Sequence, residues 1–561
     1  SNSSSSSSNN NKDPSLKYLS NPKIAPTVRN AIKFFREKTN AKAGTNHDTY
    51  FPVTIGPKLG WRTVARLAVQ QVPGNKNTTD RTTDSNRSTN KLRIGLFVPG
   101  SHELLPVPDC PVHNRKINGL VRVLEDECNT LGIPAFDASH DASAAAMSIA
   151  ADSNDDKFGL RYIAIAIERS TQKQQLVLVW KEDATDKNKS KVLEDLIQRL
   201  VYLSKKKSHR DTLLHSIWVH YNNTWKHANS IFDRAGRWET RFVDSGIGTK
   251  KSDDDPLYGS IREIMLPAKN DNYSNSSNNN NYSRSNKIHV PLYFPPQVFR
   301  QANLDGFAKI IARIREWLQE QLSSKPSLNY GNKPQISDDT TAPPKRNRRR
   351  GRRDTSNANH NTQQEQEQEH LNTKMNSAAN VPNTNSTKAT LGHCLELYGG
   401  VGTIGLNLAD LFVSIESSDE NPFNEKCFHA AADELQIDGG SLRPSKRKQI
   451  TYTSKSATDM VVENLDSLRK ARIVVVDPPR KGLDLPVVEA LCSDYQYQQQ
   501  RNNNEEEQAL VYVSCGFDSF RRDYRALVEG SGKWTLDCAE GHVLFPGSDA
   551  IETLAFFTRK K

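Results

Sequence analysis

The C-terminal half of the chain, within residues 291–561, predicts an α/β fold with a doubly wound, mostly parallel sheet, and the chain before it predicts a smaller α+β region. Three observations carry this expectation. Short apolar runs recur: "HCLELYGG" (393–400), "LFVSIES" (411–417), "QITYTS" (449–454), "ARIVVVDPP" (471–479) and "QALVYVSC" (508–515). Their hydrophobicity is continuous rather than alternating, as strands covered on both faces require. Between them lie stretches with helical spacing, such as "NPFNEKCFHAAADEL" and "LPVVEALCSDY", the alternation expected of crossover helices.

In such sheets ligands sit beyond the carboxyl ends of the strands, and the ends of these runs carry chemistry. The first is "ELYGGVGTIG", where Gly400, Gly402 and Gly405 form GxGxxG after a strand and before a helix. That backbone can turn tightly and approach a ligand, although glycines at a strand end are more often plain turns. The second run ends in Glu416, a carboxylate able to accept from a ribose diol. Together they point to an adenosine-containing cofactor, either a nicotinamide dinucleotide or S-adenosylmethionine. The fourth run separates the two. "VVVDPPRKG" sets Asp477 and two prolines at the strand mouth, a rigid, donor-poor loop suited to a planar substrate beside a methyl donor. Dehydrogenases need no such element.

The fifth run ends in Cys515. A buried cysteine is usually inert filler, but a thiolate at a central strand mouth beside a methyl donor is a candidate nucleophile. C5 methylation of a pyrimidine needs both. C5 of uracil is a poor nucleophile until a thiolate adds at C6, and the methylated adduct must then lose its C5 proton to a base. "LFPGSDAIETLAFFTRK" offers Asp549 and Glu552, of which Glu552 precedes another apolar strand.

These motifs resemble those of the RNA uracil-5 methyltransferases, the family that makes 5-methyluridine in tRNA and rRNA. "LELYGGVGTIGLNLA" looks like the cofactor loop, "VVVDPPRKGLD" the fourth-strand motif, "YVSC" the nucleophile motif and "FPGSDAIETLAFF" the segment that holds the base. Upstream, "FPPQVFRQANLDGFAKIIARIREWL" (294–318) resembles the Phe-x-Gln-x-Asn segment and its helix, and residues 60–118 resemble the central domain. The resemblance covers most of the chain outside the polar tracts. It implies a Rossmann-like methyltransferase domain, S-adenosylmethionine as cofactor and RNA, tRNA or rRNA, as partner. It assigns Cys515 as nucleophile and Glu552 as base. Gln301, Tyr398, Thr403, Glu416 and Asp477 fall on cofactor contacts, with Gly400 and Gly402 shaping the loop. The polar contact from the third strand lies among Lys455, Ser456 and Asp459.

The chain departs from the family in three places. Many members hold an iron–sulfur cluster on four cysteines, of which only Cys110 has a counterpart here, and no cluster is expected. The nucleophile motif reads "SCGF" where most members have Ser-Cys-Asn. "FPGSDAIE" lacks the histidines common between the Phe-Pro pair and the glutamate. The alternatives are an RNA cytosine-5 or amino-group methyltransferase and a catalytically silent RNA-binding relative. Cytosine-5 enzymes carry a Pro-Cys element on strand four, where this chain has Pro479 and Arg480.

Composition fits this picture. A hydrophobic share of 35% and a mean hydropathy of −0.71 are low for a fully folded chain of 561 residues, and Ser/Asn/Gln tracts account for it. We expect a low-complexity tail with a possible short helix over 1–50. A central α+β domain over 51–290 follows, with RNA contacts from residues such as Arg62, Arg66, Lys226 and Arg234 and a disordered 270–287 loop. The methyltransferase domain spans 291–561 with a disordered, dispensable 325–388 insertion. The net charge of +11 suits a polyanion, although part of it lies in the run from Lys345 to Arg353. Seven scattered cysteines with no CxxC pair argue against a disulfide framework or zinc site and for a reducing, intracellular compartment; plastid, cytoplasm and nucleus are not distinguished. No apolar run is long enough to span a membrane, a first residue other than Met leaves room for a targeting segment upstream, and a monomer is expected.

Overall fold

The computed structural model describes residues 13–39, 42, 45–72, 91–101, 103–136, 158–181, 187–206, 213–222, 231–233, 235–246, 257–265, 290–323, 390–438, 449–494 and 507–560. The 270–287 loop, the 325–388 insertion with its basic run, Lys226 and Arg234 lie outside them.

In chain order the strands are β1 (Val53–Ile55), β2 (Val64–Val72), β3 (Lys91–Phe97), β4 (Leu104–Pro106), β5 (Gly159–Ile167), β6 (Gln174–Lys181), β7 (Leu214–Tyr221), β8 (Arg237–Val243), β9 (Ile261–Ile264), β10 (Pro291–Phe294), β11 (His393–Leu397), β12 (Ser414–Ser418), β13 (Gln449–Thr453), β14 (Ala471–Val476), β15 (Ala509–Ser514), β16 (Trp534–Val543) and β17 (Glu552–Arg559). The helices used below are α1 (Pro26–Lys38), α2 (Arg115–Leu131), α3 (Lys187–Ser204), α4 (Leu304–Ser323), α5 (Pro422–Asp438), α6 (Ala457–Glu463), α7 (Leu465–Lys470), α8 (Leu485–Cys492) and α9 (Phe517–Tyr524).

The five apolar runs become β11 to β15. With β1, β16 and β17 they form an eight-stranded sheet in the order β1-β16-β17-β15-β14-β11-β12-β13. The pairs are parallel except where β17 runs against β15 and β16. β14 and β15 are buried at every position, which is why their sequences show no polar alternation. The order reverses between β11 and β14, so the crevice of this doubly wound sheet opens there.

Two expectations shift. The second strand begins and ends later than its apolar run, because Leu411 closes a 3-10 helix (Leu406–Leu411) and only Ser414–Ser418 pair in the sheet. That 3-10 helix stands where a helix was expected after GxGxxG. Its last turn is held by Arg315 of α4, which donates to the Asn407 carbonyl and the Asp410 carboxylate.

In the amino-terminal stretch, expected as a low-complexity tail with a possible short helix, residues 13–39 are described and carry α1. Val28, Ala31, Phe34 and Phe35 of α1 are buried, and Phe35 stacks on Phe51 with ring centroids 4.3 Å apart. Phe34 meets Phe517 and Tyr524 edge-on. β1, within the span read as the central domain, pairs with β16 at the edge of the large sheet.

A second sheet has seven strands in the order β4-β3-β2-β5-β6-β7-β8. The parallel pair β6 and β7 is joined through α3, while the other pairs are antiparallel. One face, carrying Leu67, Ile163, Ile165, Leu176 and Leu178, packs with α2 and α3 into a core of its own. Among the described residues no helix is long and apolar enough to cross a membrane.

Candidate active site at the strand mouths

The crevice at the switch point opens into a cavity of about 820 Å³. Gln301, Tyr398, Gly400, Thr403, Asp477, Cys515 and Glu552 all line it, so seven of the nine residues singled out in the sequence meet in one place. Gly402 and Glu416 do not line it.

Register explains how Cys515 and Glu552 come together. β17 runs antiparallel to β15, and Ser514 lies opposite Thr553. Cys515 follows Ser514 at the end of β15 and Glu552 precedes Thr553 at the start of β17, and the Glu552 charge acts on the Cys515 thiol. A reversed strand thus returns a carboxylate to the edge where its parallel neighbours present their carboxyl ends. Asp477 follows β14, the neighbour of β15 on the other side. Asp549, the other candidate base, is turned away and accepts from the Thr27 amide at 2.8 Å.

The electrostatics are those of buried acids. Glu552 is 4% exposed, and burial raises its pKa to about 7 against an opposing pull from Arg480. Asp477 is raised well above the carboxylate range by burial and by the charges of Glu552 and Glu396. The Cys515 thiol is pushed up to about 12 by burial and then by Glu552 and Asp477, with Arg480 acting the other way. The resting thiol is therefore neutral.

The glycine loop is built on a carboxylate that sequence reading passed over. Glu396, buried within β11, accepts from the Gly405 amide and the Ser417 hydroxyl at 2.7 Å each. A Cβ at Gly399 would come 2.2 Å from the Ser417 Oγ, and one at Gly405 would come 2.5 Å from a Glu396 oxygen. The signal was an acid inside the apolar run "LELY". Gly402 has φ +82°, and a Cβ there would meet Phe428 and Leu406, so it shapes the loop from behind. Tyr398 has φ +59°, a strained conformation for a bulky residue. Its hydroxyl donates to the Asp484 carboxylate at 3.1 Å and accepts from the Asp484 amide at 3.2 Å, which locks β11 to the start of α8.

Glu416 corrects an expectation. It sits in the middle of β12, and its carboxylate lies 3.5 Å from His393. The carboxylate at the mouth of β12 is Asp419, which lines the cavity and accepts from the Gly400 amide at 3.1 Å and from Asn424 Nδ2 at 2.9 Å. Pro422 at the first turn of α5 was the missed signal, since it fixes where the helix starts and hence how few residues follow the strand. On the third strand Ser456 lines the cavity and caps α6 by accepting from the Asp459 amide at 3.1 Å, while Lys455 pairs with Glu463.

Gln301 is delivered by a pinned segment. Its neighbour Arg300 is buried and bonded to the Ile167 carbonyl and Glu263. Asn303 donates to the Leu544 carbonyl at 2.7 Å. Of the proposed RNA-contact residues, Arg62 and Arg66 line the same cavity from the second sheet. Cys110 is buried with its Sγ 3.7 Å from Asp13, and among the described residues no group of three or more side chains could hold a metal ion.

No protein-family model matches the chain. It is 26% identical over 536 residues to an uncharacterised RNA methyltransferase of Protochlamydia amoebophila, covering 95% of this chain and 92% of that protein. An uncharacterised RNA methyltransferase of Lactiplantibacillus plantarum is 29% identical over 169 residues, 30% of each chain. Among solved structures, the Pyrococcus abyssi tRNA (uracil-54, C5)-methyltransferase in complex with S-adenosyl-L-homocysteine aligns with a TM-score of 0.48 and 15% identity, over 94% of this chain and 83% of that one. The chain is thus similar to an RNA methyltransferase along nearly the whole of both sequences.

Proposed function

We propose that the protein is an S-adenosylmethionine-dependent RNA methyltransferase that forms 5-methyluridine through addition of Cys515 to C6 of uracil. The observation that carries this reading is that Cys515 and Glu552 stand at the ends of adjacent strands, next to the paired Ser514 and Thr553, in one cavity with the glycine loop and Asp477.

The residues present fit the cofactor. Asp419 is placed to accept from a ribose diol. Asn424 lines the cavity and its buried Oδ1 has no partner, a costly arrangement that a ligand donor would relieve. The glycine loop, Tyr398, Asp419, Ser456 and Gln301 would hold the group. When bound, S-adenosylmethionine supplies an electrophilic methyl.

The chain's own residues do the rest. Because burial and two acids keep the Cys515 thiol protonated, its proton must pass to solvent in the cavity as sulfur closes on C6, since burial holds Asp477 protonated and Glu552 stays ionised for the later step. Addition breaks the C5–C6 double bond and places electron density on C5. Once C5 carries both a methyl group and a proton, ionised Glu552 removes the proton. The electrons re-form the double bond and the C6–S bond breaks, returning the thiolate. A pKa of about 7 suits a base at neutral pH.

The test uses RNA containing 5-fluorouridine, since fluorine cannot leave as a cation and the methylated adduct stays attached to the enzyme. We expect a covalent protein–RNA complex, and we expect Cys515→Ala to abolish both it and turnover on ordinary RNA. Wild-type methylation by Cys515→Ala would refute the nucleophile assignment, and methyl groups appearing on cytosine or adenine would refute the substrate assignment.

A further inference from the structure

The cavity has a second wall, away from the strand mouths, made by the other face of the seven-stranded sheet, where Ala164, Val177, Val179 and Trp218 form a small apolar cluster. Arg66 of β2 lies opposite Ala164 of β5, which lies opposite Val177 of β6, so the three form one row across that face, and all line the cavity. Side chains on the opposite face are buried in the helical core. Two rings, Phe232 and Phe299, line the same cavity. Phe232 lies with its ring centroid 5.2 Å from the Arg66 guanidinium, and Phe299 is 65% exposed, an unusual state for a large apolar side chain.

Charge completes the wall. Arg93, Arg169, Arg241 and Arg315 each pair with a carboxylate. Among the described residues Arg62 and Arg66 have no such ion pair; their guanidiniums lie over the rings of Trp61 and Phe232, and Arg62 Nε is buried without a partner. Guanidiniums with no carboxylate at ion-pair distance, in one cavity with the exposed Phe299 ring, suit a nucleotide, because the planar fork matches phosphate and every base has a face that stacks.

We propose that this wall is a subsite for the RNA nucleotide next to the one that is methylated, with its base against Phe299 and Phe232 over the Ala164 and Val177 floor and its phosphates on Arg62 and Arg66. The inference rests on the reading of the cavity as an RNA site. A nucleotide next to one whose base reaches Cys515 has this wall within the same cavity, since the wall and the strand mouths bound one space.

The experiment titrates fluorescein-labelled octauridylate into the full-length protein by fluorescence anisotropy over a range of salt concentrations. Arg66→Gln should weaken binding at low salt and make the plot of log Kd against log salt shallower by about 0.7, the value of one single-strand phosphate contact. Phe299→Leu and Phe232→Leu should weaken binding about tenfold with the slope unchanged. Variants that all bind with the wild-type affinity and slope would overturn the proposal, and so would a wild-type protein that does not bind octauridylate. Incorporation of tritiated methyl groups into total tRNA and rRNA tests the activity separately. Octauridylate binding that depends on Arg66 and Phe299, without methyl incorporation, would sink the methyltransferase reading and leave the subsite standing.

Discussion

Replacing Glu552 with Gln should stabilise the resting protein above neutral pH while stopping the last step of the reaction. Glu552 is 4% exposed, and its pKa rises from 4.5 to about 7 on folding. Between those values the folded state holds more protons than the unfolded state, so stability falls as pH rises through the window. Each power of ten corresponds to 1.36 kcal/mol. The two and a half powers spanned here therefore amount to about 3 kcal/mol, absent near pH 4 and fully expressed by pH 8. Glutamine carries no charge at any pH and escapes this loss. Urea unfolding followed by tryptophan fluorescence at pH 4.5 and pH 8 reads the effect, because any pH-independent cost of the new amide cancels between the two conditions. The advantage of the variant over wild type should grow by roughly 3 kcal/mol across that interval. A gap that stays constant, or closes with rising pH, would refute the assignment of Glu552 as a buried acid held near neutrality. On RNA the same variant should accumulate a covalent adduct even with ordinary uridine, since the C5 proton has no acceptor.

The cofactor site is tested by a pair of substitutions. Asp419→Ala should weaken S-adenosylhomocysteine binding by roughly 1–3 kcal/mol in calorimetry, while Glu416→Ala, whose carboxylate faces His393, Ser467 and Lys470 rather than the cavity, should leave it unchanged; the reverse ranking would restore Glu416 to the site. Iodoacetamide should alkylate Cys515 far more slowly than a free thiol at pH 8, since its pKa lies near 12. Glu552→Gln should quicken that alkylation by removing a negative neighbour, and an unchanged rate would disprove the coupling. Turnover should rise with pH through about 7 as Glu552 ionises, and a rate that falls over that interval would contradict its role as base.

The strand mouths were legible because a buried parallel strand is a continuous apolar run, and such runs end where the chemistry begins. What blurred the reading was chain that is apolar for another reason. Leu411 and Phe412 are buried at the close of a 3-10 helix, yet they lengthened the second run and set its apparent start ahead of the strand, Ser414–Ser418. The spacing of Val28, Ala31 and Phe35 in α1 was hidden beside a Ser/Asn tract, and β1, only three residues long, has no pattern to read. The second wall of the cavity was out of reach, because Arg66, Ala164 and Val177 meet only through strand register.

Gly516 is where sequence and structure inform each other most. "SCGF" departs from the Ser-Cys-Asn of most relatives in the resembling family, and at the level of sequence that departure put the substrate in doubt. The structure supplies a steric reason instead. Gly516 has φ −122°, open to any residue, so backbone freedom is not what selects glycine. Space is: a Cβ there would lie 2.3 Å from the Arg480 carbonyl oxygen, and the Arg480 carbonyl is already held by the Ser519 hydroxyl at 2.7 Å. The Pro478-Pro479-Arg480 loop thus packs directly on the turn that carries Cys515. Gly516→Ala must push the two apart, which should cost about 1–3 kcal/mol, as overpacking typically does, and should slow methyl transfer by moving Asp477 away from Cys515. Gly516→Asn should do more of both. Urea unfolding together with single-turnover rates decides the matter: an alanine variant within 0.5 kcal/mol of wild type, the range of ordinary surface changes, and with the wild-type rate would mean that this loop yields freely and that the departure at Gly516 has another cause.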